Sequence, residues 1–406
     1  MYIYKAAVIG AGTMGAQIAQ VITYSGLPVI LKDTSPDVVK KGLETIRKIY
    51  QSRVEKGKMT SGEMEQKMNL VTGATNYDDF SDVDIVIEAI YEDMEVKKNL
   101  FQELEGICPA TTIFASNTSS ISISAIGSAV KKPEKVVGMH FFNPAHVMKL
   151  VEVIPGIATS SETVDDVVAL SESLRKIPIK VQECPGFLVN RLLMPYLNEA
   201  AIALGESDNP LKTIRDLDDL VLKTGMPMGP YALSDMIGLD ISEKVSHILH
   251  EAYGPRMAPA PILPEMVKAG RLGQKNGLGF YGGDSGKEKE LEKLVLEFRK
   301  RKALKTTSLS MERMIYPMIN EAVMALQEGI SSANDIDIAM MAGVGFPQDK
   351  GGPLHYADQI GIDKVLAGLE EFSQTLGERF WPAYLLKKMA GAGYLGVKSG
   401  KGFFNY

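Results

Sequence analysis

A glycine pattern near the start of the chain determines the local fold around it. Gly10-Ala-Gly12-Thr-Met-Gly15 follows a short apolar run, and apolar residues then recur at helical spacing over residues 13–25. In a strand, tight turn and helix of this kind, the first glycine permits the turn and the second lets a ligand approach the backbone. The third glycine lets the helix pack closely on the strand, and the free N–H groups at the helix start bind a pyrophosphate. We therefore expect a dinucleotide to bind at Gly10, Gly12, Thr13, Met14 and Gly15.

Asp33 indicates which dinucleotide this is. It lies 18 residues after Gly15, at the end of the second apolar run. A carboxylate at that position accepts hydrogen bonds from the adenosine ribose hydroxyls and repels a 2′-phosphate, which favours NAD over NADP. The alternative interpretation is a glycine-rich connection in an α/β fold that binds no dinucleotide.

The pattern of apolar runs divides the chain into two regions. Up to about residue 182, short apolar runs alternate with helical patterns, which predicts an α/β, Rossmann-type, doubly wound parallel sheet. The further strand candidates are 69–72, 85–88, 112–115, 136–139 and 150–154. Beyond that point long amphipathic segments such as 186–205 and 239–252 predict an all-α region.

The helical region contains an internal repeat. Leu197-Asn-Glu-Ala200 recurs 122 residues later as Ile319-Asn-Glu-Ala322, and Met228-Gly-Pro-Tyr231 recurs 123 residues later as Gly351-Gly-Pro-Leu354. A nearly constant offset indicates two all-α domains related by duplication. We predict an NAD-binding domain at 1–184, a first helical domain at 185–282, a linker helix at 283–308, and a second copy at 309–406.

Composition excludes several classes of protein. The 406 residues include 44 Lys and Arg against 50 Asp and Glu, and no block of basic residues occurs, so nucleic acid is not expected as a partner. No apolar run reaches the length of a membrane span, and the N-terminus lacks the pattern of a signal peptide, which predicts a cytoplasmic protein. The two cysteines form no disulfide framework, and no residues cluster at the spacing of a metal site.

His140 is the strongest candidate for a catalytic base. It closes the apolar run 136–140, which places it at the carboxyl end of a strand, where open α/β sheets bind their ligands. An oxidoreductase that acts on an alcohol needs a base for the hydroxyl proton, and histidine suits that role near neutral pH. A core or capping histidine remains the alternative at this point.

Six motifs in order resemble the L-3-hydroxyacyl-CoA dehydrogenase family. They are Gly10 to Gly15, Asp33, Ala115-Ser-Asn-Thr-Ser-Ser120, Gly138-Met-His-Phe-Phe-Asn-Pro144, Lys149-Leu-Val-Glu-Val153 and Pro185-Gly-Phe-Leu-Val-Asn-Arg191. The resemblance covers the first 282 residues and implies that the first helical domain, 185–282, forms the substrate cleft with Asn190. The second helical copy is similar to the duplicated C-terminal domain in the dehydrogenase part of multifunctional fatty-acid oxidation enzymes.

The resemblance implies a role for each matching residue. His140 is then the general base and Glu152 the carboxylate that orients its imidazole, while Ser119 and Asn190 contact the substrate oxygen. The cofactor-proximal positions are Glu92, Lys97, Asn117 and Asn143. The alternatives are a helix N-cap for Ser119, a helix-end residue for Asn190 and an ordinary ion pair for Glu152.

Coenzyme A carries phosphates, so a basic surface is expected near its adenosine end. Arg47, Lys48 and Arg53 lie on the helical segment after Asp33, where the family places part of this site. A solvated charged helix explains these residues equally well.

The second helical copy departs from the first at one position. When Arg191 is aligned with Arg313, Glu312 falls opposite Asn190, so the second copy lacks the amide and is expected to be structural. Single-copy members of the family dimerise through this domain, so the internal copy can cover the dimer surface. We therefore expect a monomer or weak homodimer, with association with a hydratase or thiolase possible. No hydratase-like region is present, so hydration is not expected.

These observations predict an NAD-dependent enzyme that oxidises an L-3-hydroxyacyl-CoA thioester to the 3-ketoacyl-CoA and catalyses the reverse reduction. Two alternatives remain. The first is a dehydrogenase of a free 3-hydroxy acid, similar to carnitine or gulonate. The second is a non-catalytic assembly subunit of a fatty-acid oxidation complex.

Overall fold

The computed structural model describes residues 2–406. The chain divides into two compact units, of which the first ends at Phe187 and the second is Leu188–Tyr406. The first unit is α/β and the second is helical, which confirms the predicted fold class.

An eight-stranded sheet forms the centre of the first unit. Its strands are β1 (Ala6–Ile9), β2 (Val29–Lys32), β3 (Val71–Ala74), β4 (Ile85–Glu88), β5 (Ile113–Ser116), β6 (Val136–Phe141), β7 (Leu150–Pro155) and β8 (Ile177–Lys180). Its helices are α1 (Thr13–Tyr24), α2 (Pro36–Glu55), α3 (Ser61–Met68), α4 (Met94–Glu105), α5 (Ile123–Gly127) and α6 (Ser161–Ser173). Strands β1, β2, β4, β5 and β6 are buried along their whole length, as expected for a sheet with helices on both faces.

The strand order is β3-β2-β1-β4-β5-β6-β7-β8, and one pair departs from the predicted parallel arrangement. Strand β7 runs antiparallel to β6, whereas all other neighbouring strands are parallel. The expectation of a wholly parallel sheet was therefore wrong at this pair. The physical reason is that residues 142–149 are too few for a crossover connection, which needs about a dozen or more residues.

Strand β8 was not among the predicted strands. It contains Pro178 and is only partly buried, so it lacks the continuous apolar run of the central strands. Proline cannot donate a ladder hydrogen bond, and it is tolerated here because β8 is the last strand of the sheet.

The helices in the two halves of the second unit match in order, except for α12 (Ser285–Arg301), which lies between the halves. The helices are α7 (Val189–Gly205), α8 (Pro210–Leu222), α9 (Pro230–Ile237), α10 (Leu239–Tyr253), α11 (Leu263–Lys268), α12 (Ser285–Arg301), α13 (Met311–Gln327), α14 (Ala333–Val344), α15 (Pro353–Ile360), α16 (Ile362–Thr375) and α17 (Tyr384–Gly391). Helices α7 and α13 each have 17 residues, each contains a proline, and they pack against each other. Among the described residues, no helix combines the length and the apolarity that crossing a membrane requires.

Candidate active site

The glycine turn is closely packed at Gly10 and Gly15 and open at Gly12. At Gly15 a Cβ atom would lie 1.7 Å from the carbonyl oxygen of Gly10, so α1 can approach β1 only without a side chain at that position. Gly10 has a φ of 99°, in the region that favours glycine. The position of a Cβ at Gly12 is open, with no atom within 4 Å, and Thr13 begins α1. This turn therefore has the open backbone that a pyrophosphate needs.

Asp33 follows β2 and faces the same turn. Its Oδ2 accepts a hydrogen bond of 2.9 Å from the backbone N–H of Ala11, and its Oδ1 accepts one of 2.8 Å from Thr34. A pocket of about 920 Å³ lies beside it, lined by Gly10, Gly12 and Asp33 among others. The volume is typical of ligand pockets, and the residues present fit the adenosine half of a dinucleotide.

His140 and Glu152 form a buried pair at the carboxyl end of β6. The two residues are direct register partners across β6 and β7, and His140 Nδ1 lies 2.7 Å from Glu152 Oε2. Their exposed fractions are 5% and 0%. A carboxylate at Nδ1 selects one tautomer of the imidazole and stabilises the imidazolium, which leaves Nε2 available for proton transfer.

Ser119 faces the other nitrogen of the same imidazole. Its Oγ lies 3.1 Å from His140 Nε2, and it belongs to the loop between β5 and α5. The N-cap of α5 is Ser122, so the capping alternative for Ser119 was wrong. The rings of Phe142 and Phe187 flank the imidazole, with centroids 4.7 Å and 5.7 Å from it.

Glu92 supports the loop that carries Ser119. Its Oε1 accepts hydrogen bonds from Thr118 Oγ1 at 2.5 Å and from the backbone N–H of Ser119 at 3.0 Å. Burial opposes ionisation of Glu92, but the nearby Lys97 ammonium and these hydrogen bonds outweigh it, so the pKa of Glu92 lies below its ordinary value. Glu92 is therefore a carboxylate at neutral pH.

Lys97 is enclosed by two carboxylates. Its Nζ lies 2.6 Å from Glu88 Oε1 and 3.2 Å from Glu92 Oε2, and its side chain is 1% exposed. The Lys97 ammonium therefore forms ion pairs with Glu88 and Glu92 and is not exposed to solvent.

Glu88 is a site residue that the sequence analysis missed. It ends β4, is fully buried, and also accepts a hydrogen bond of 2.6 Å from Ser116 Oγ at the end of β5. Glu88 could have been identified because a titratable residue closes the apolar run 85–88, as His140 closes the run 136–140.

The remaining candidates differ in how closely they join this site. Asn117 Oδ1 accepts a hydrogen bond of 2.8 Å from the backbone N–H of Phe141, so it links the end of β5 to the end of β6. Asn143 is exposed in the loop after β6. Asn190 belongs to the second unit, where it is half-buried in the first turn of α7.

The three basic candidates on α2 do not converge on one ligand. At 100° per residue, Arg47, Lys48 and Arg53 point to three sides of the helix. Arg47 Nη1 lies 2.6 Å from Glu65, and Arg53 Nη2 donates a hydrogen bond of 2.7 Å to Tyr24. Lys48 is exposed. The structure therefore does not bring these residues together.

No group of three or more His, Cys, Asp or Glu side chains able to hold a metal ion occurs in the described part of the chain. Both cysteines are free thiols.

Comparison with known proteins connects this geometry to one family. Residues 5–184 match the family model described as 3-hydroxyacyl-CoA dehydrogenase, NAD binding domain. Residues 186–283 and 310–406 both match the model described as 3-hydroxyacyl-CoA dehydrogenase, C-terminal domain. The double match agrees with the duplication.

Individual relatives include both longer proteins and solved structures. The chain is 38% identical over 404 residues to the fatty acid oxidation complex subunit alpha of Psychrobacter arcticus, and the match covers 96% of this chain but 55% of that relative. The chain thus spans about half the length of the curated relatives it matches. The crystal structure of 3-hydroxybutyryl-CoA dehydrogenase from Escherichia coli K12 is similar with a TM-score of 0.85 and 32% identity, covering 97% of this chain and all of that one. The (S)-3-hydroxybutyryl-CoA dehydrogenase from Ralstonia eutropha is similar with a TM-score of 0.67 and 41% identity, over 70% of this chain and all of that one.

Proposed function

The chain belongs to the 3-hydroxyacyl-CoA dehydrogenase family, and from that premise we propose that it oxidises L-3-hydroxyacyl-CoA thioesters to 3-ketoacyl-CoA with NAD and catalyses the reverse reduction. The observation that carries this proposal is the buried pair of His140 and Glu152, with Ser119 on the free side of the imidazole. Gly10, Gly12 and Asp33 would hold NAD, which would supply the hydride acceptor for the oxidation.

The proposed mechanism assigns proton transfer to His140. Nε2 takes the proton of the 3-hydroxyl group, and Glu152 at Nδ1 stabilises the positive charge that develops on the ring. In the reverse direction the imidazolium returns the proton to the substrate oxygen. Because the dyad is buried, the charge on Glu152 acts on the ring with little screening by solvent.

Two hydrogen-bond donors are proposed for the substrate oxygen. Ser119 Oγ is held near His140 by the Glu92 network, and the family resemblance assigns the Asn190 amide to the same oxygen. Donors placed where negative charge develops lower the barrier of such a reaction. Glu92, Lys97, Asn117 and Asn143 are proposed as residues that shape the cofactor side of the site.

The test is NADH oxidation, followed at 340 nm, with acetoacetyl-CoA as substrate. We expect activity with NADH and the thioester, far lower activity with NADPH or with free acetoacetate, and loss of activity in His140→Ala. Activity on free acetoacetate alone would favour a free hydroxy acid as substrate. An absence of activity on every substrate, or unchanged turnover in His140→Ala, would favour a non-catalytic assembly role.

The state of assembly is also a proposal. Because α7 and α13 pack against each other within one chain, we propose that the protein is a monomer or weak homodimer in the cytoplasm. The name of its relatives, fatty acid oxidation complex subunit alpha, supports association with another protein, which we propose to be a hydratase or thiolase. Light scattering during size-exclusion chromatography tests the first part, since a stable dimer at micromolar concentration contradicts it.

A further inference from the structure

The carboxylate of Glu88 belongs to a closed ring of hydrogen bonds in the first unit. Its Oε1 lies 2.6 Å from Lys97 Nζ, and its Oε2 accepts a hydrogen bond of 2.6 Å from Ser116 Oγ. Lys97 Nζ lies 3.2 Å from Glu92 Oε2, and Ser116 Oγ accepts a hydrogen bond of 3.3 Å from the backbone N–H of Thr118. Thr118 Oγ1 closes the ring by donating to Glu92 Oε1 at 2.5 Å. The two oxygens of the Glu88 carboxylate therefore reach the loop after β5 by two routes.

Burial makes this ring sensitive to the loss of any member. Glu88, Ser116 and Thr118 have no exposed surface, and only 1% of Lys97 is exposed. A buried polar group that loses its partner is costly, because water does not replace the lost hydrogen bond. The members of the ring therefore hold one another in place, and a change at Glu88 is transmitted to the loop after β5.

Ser119 connects this ring to the catalytic histidine. Its backbone N–H donates a hydrogen bond of 3.0 Å to Glu92 Oε1, the same oxygen that accepts from Thr118. Its Oγ lies 3.1 Å from His140 Nε2, so the direction of the hydroxyl group is defined. Ser119 is itself exposed, which leaves this side of the imidazole open to a substrate. The backbone of Ser119 is thus held by the ring while its side chain faces the proposed base.

The backbone of Glu88 makes a separate contact with the same loop. Its carbonyl oxygen accepts a hydrogen bond of 2.8 Å from the N–H of Asn117, which continues the pairing of β4 with β5. This contact does not involve the side chain and remains when the side chain is changed. A substitution at Glu88 that keeps its shape therefore tests the carboxylate separately from the strand.

We propose that Glu88 is a positioning residue for Ser119. By its two hydrogen-bonded routes, the carboxylate fixes the loop after β5 and so holds Ser119 Oγ near His140 Nε2. A donor stabilises developing charge most when it is already in place, so a small displacement of Ser119 is costly. This inference rests on the proposed function, in which Ser119 contacts the substrate oxygen.

A double-mutant cycle separates positioning from a merely structural role. The variants are Glu88→Gln, Ser119→Ala and the two combined. Their kcat for acetoacetyl-CoA is measured at saturating NADH, so that weaker cofactor binding does not contribute. We expect each single substitution to lower kcat by about tenfold or more. Because Glu88 acts through Ser119, the double variant should keep a kcat within about twofold of that of Ser119→Ala.

Asp84 provides the matched control. It directly precedes β4, at the opposite end of that strand from Glu88, and its Oδ2 accepts hydrogen bonds from the backbone N–H groups of Tyr4 at 2.7 Å and Lys5 at 3.0 Å. Asp84→Asn removes a hydrogen-bonded carboxylate from the same strand, and we expect kcat to stay within about twofold. An equal loss of kcat in Asp84→Asn and Glu88→Gln would overturn the proposal, because any disturbance of β4 would then lower turnover.

The outcomes separate this inference from the proposed function. An unchanged kcat in Ser119→Ala means that the assignment of Ser119 is wrong, and the positioning role fails with it. A low kcat in Ser119→Ala with normal turnover in Glu88→Gln means that only the positioning role is wrong. The same conclusion follows if the loss in the double variant equals the product of the two single losses.

Ser116→Ala covers the case in which Glu88→Gln does not fold. It removes one of the two routes and leaves the charged side chains of the ring in place. A lower kcat in Ser116→Ala that adds no further loss to Ser119→Ala supports the proposal. Normal turnover in Ser116→Ala, or a loss that multiplies that of Ser119→Ala, overturns it.

Discussion

Glu152 lies directly opposite His140 in the antiparallel register of β6 and β7, and its carboxylate is 2.7 Å from the imidazole. The pairing is thus set by two adjacent strands of the sheet rather than by a loop. Side chains that face each other across a strand pair are close by construction, so the dyad requires little ordering when a substrate arrives.

Replacing Glu152 with Gln should lower kcat at least about a hundredfold, because an amide in place of the carboxylate no longer stabilises the imidazolium. The KM for NADH should change little, since Asp33 and the glycine turn remain intact. Steady-state NADH oxidation with acetoacetyl-CoA measures both values. Asp165→Asn, at an exposed carboxylate paired with Lys180, is the control. A loss of kcat below about tenfold would mean that the dyad is wrongly assigned.

Replacing Asp33 with Ala should raise the KM for NADH about tenfold or more, since hydrogen bonds to a carboxylate are among the stronger ones. The change also removes the acceptor for the Ala11 N–H, which supports the turn. The control is Asp37→Ala, at an exposed carboxylate in the first turn of α2. A KM equal to that of the unaltered protein contradicts the ribose assignment.

Replacing Lys97 with Ala should reduce the free energy of unfolding by about 3–5 kcal/mol, because Glu88 is left as a buried charge without its partner. The neighbouring residue provides the comparison. Lys98 makes a surface pair with Glu95, and Lys98→Ala should cost less than about 1 kcal/mol. Denaturant unfolding measures the free energy of unfolding of both variants. Similar losses would show that the buried ion pair of Lys97 stabilises the fold no more than the surface pair of Lys98.

Glu92 should contribute a pH-dependent part of the stability. Its pKa in the folded chain is below the ordinary value of 4.5, so its ionised form stabilises the fold above that pH and the contribution is lost as the pH falls through the folded pKa. When the pH falls below about 4.5, the free energy of unfolding should therefore decrease less in Glu92→Gln than in the unaltered protein. Glu95→Gln, at a carboxylate 74% exposed, should follow the unaltered protein. Parallel pH profiles for all three proteins would contradict the role of Glu92.

Site residues that close an apolar run could be identified from the sequence. Asp33 directly follows a buried strand and His140 lies near the end of one, and the carboxyl ends of parallel strands meet at one edge of the sheet. Glu88 carries the same signal, but its importance depends on Lys97, which reaches back from α4. Such a contact follows from how a helix packs on the sheet and has no local pattern.

Two other features were not predicted from the local patterns. The apolar pattern of β7 does not reveal its direction, although the short connection after β6 already excluded a parallel crossover. The repeat of Leu197-Asn-Glu-Ala200 indicated duplication. The ion pairs that cross between the copies, in which Arg191 binds Glu321 and Arg313 binds Glu199, depend on the packing of α7 on α13. In contrast, the basic residues of α2 were grouped by nearness along the chain, whereas helical periodicity separates them.

The reciprocal interface between α7 and α13 has a consequence for how this protein can evolve. In a symmetric homodimer every substitution occurs on both faces at once, so a change that suits one face is imposed on the other. Here the two faces are encoded by separate stretches of one gene, and each can mutate alone. The presence of Asn190 on one face and Glu312 on the other is a divergence of this kind. A lineage with a fused interface is therefore free to specialise one half for chemistry while the other acquires an unrelated task.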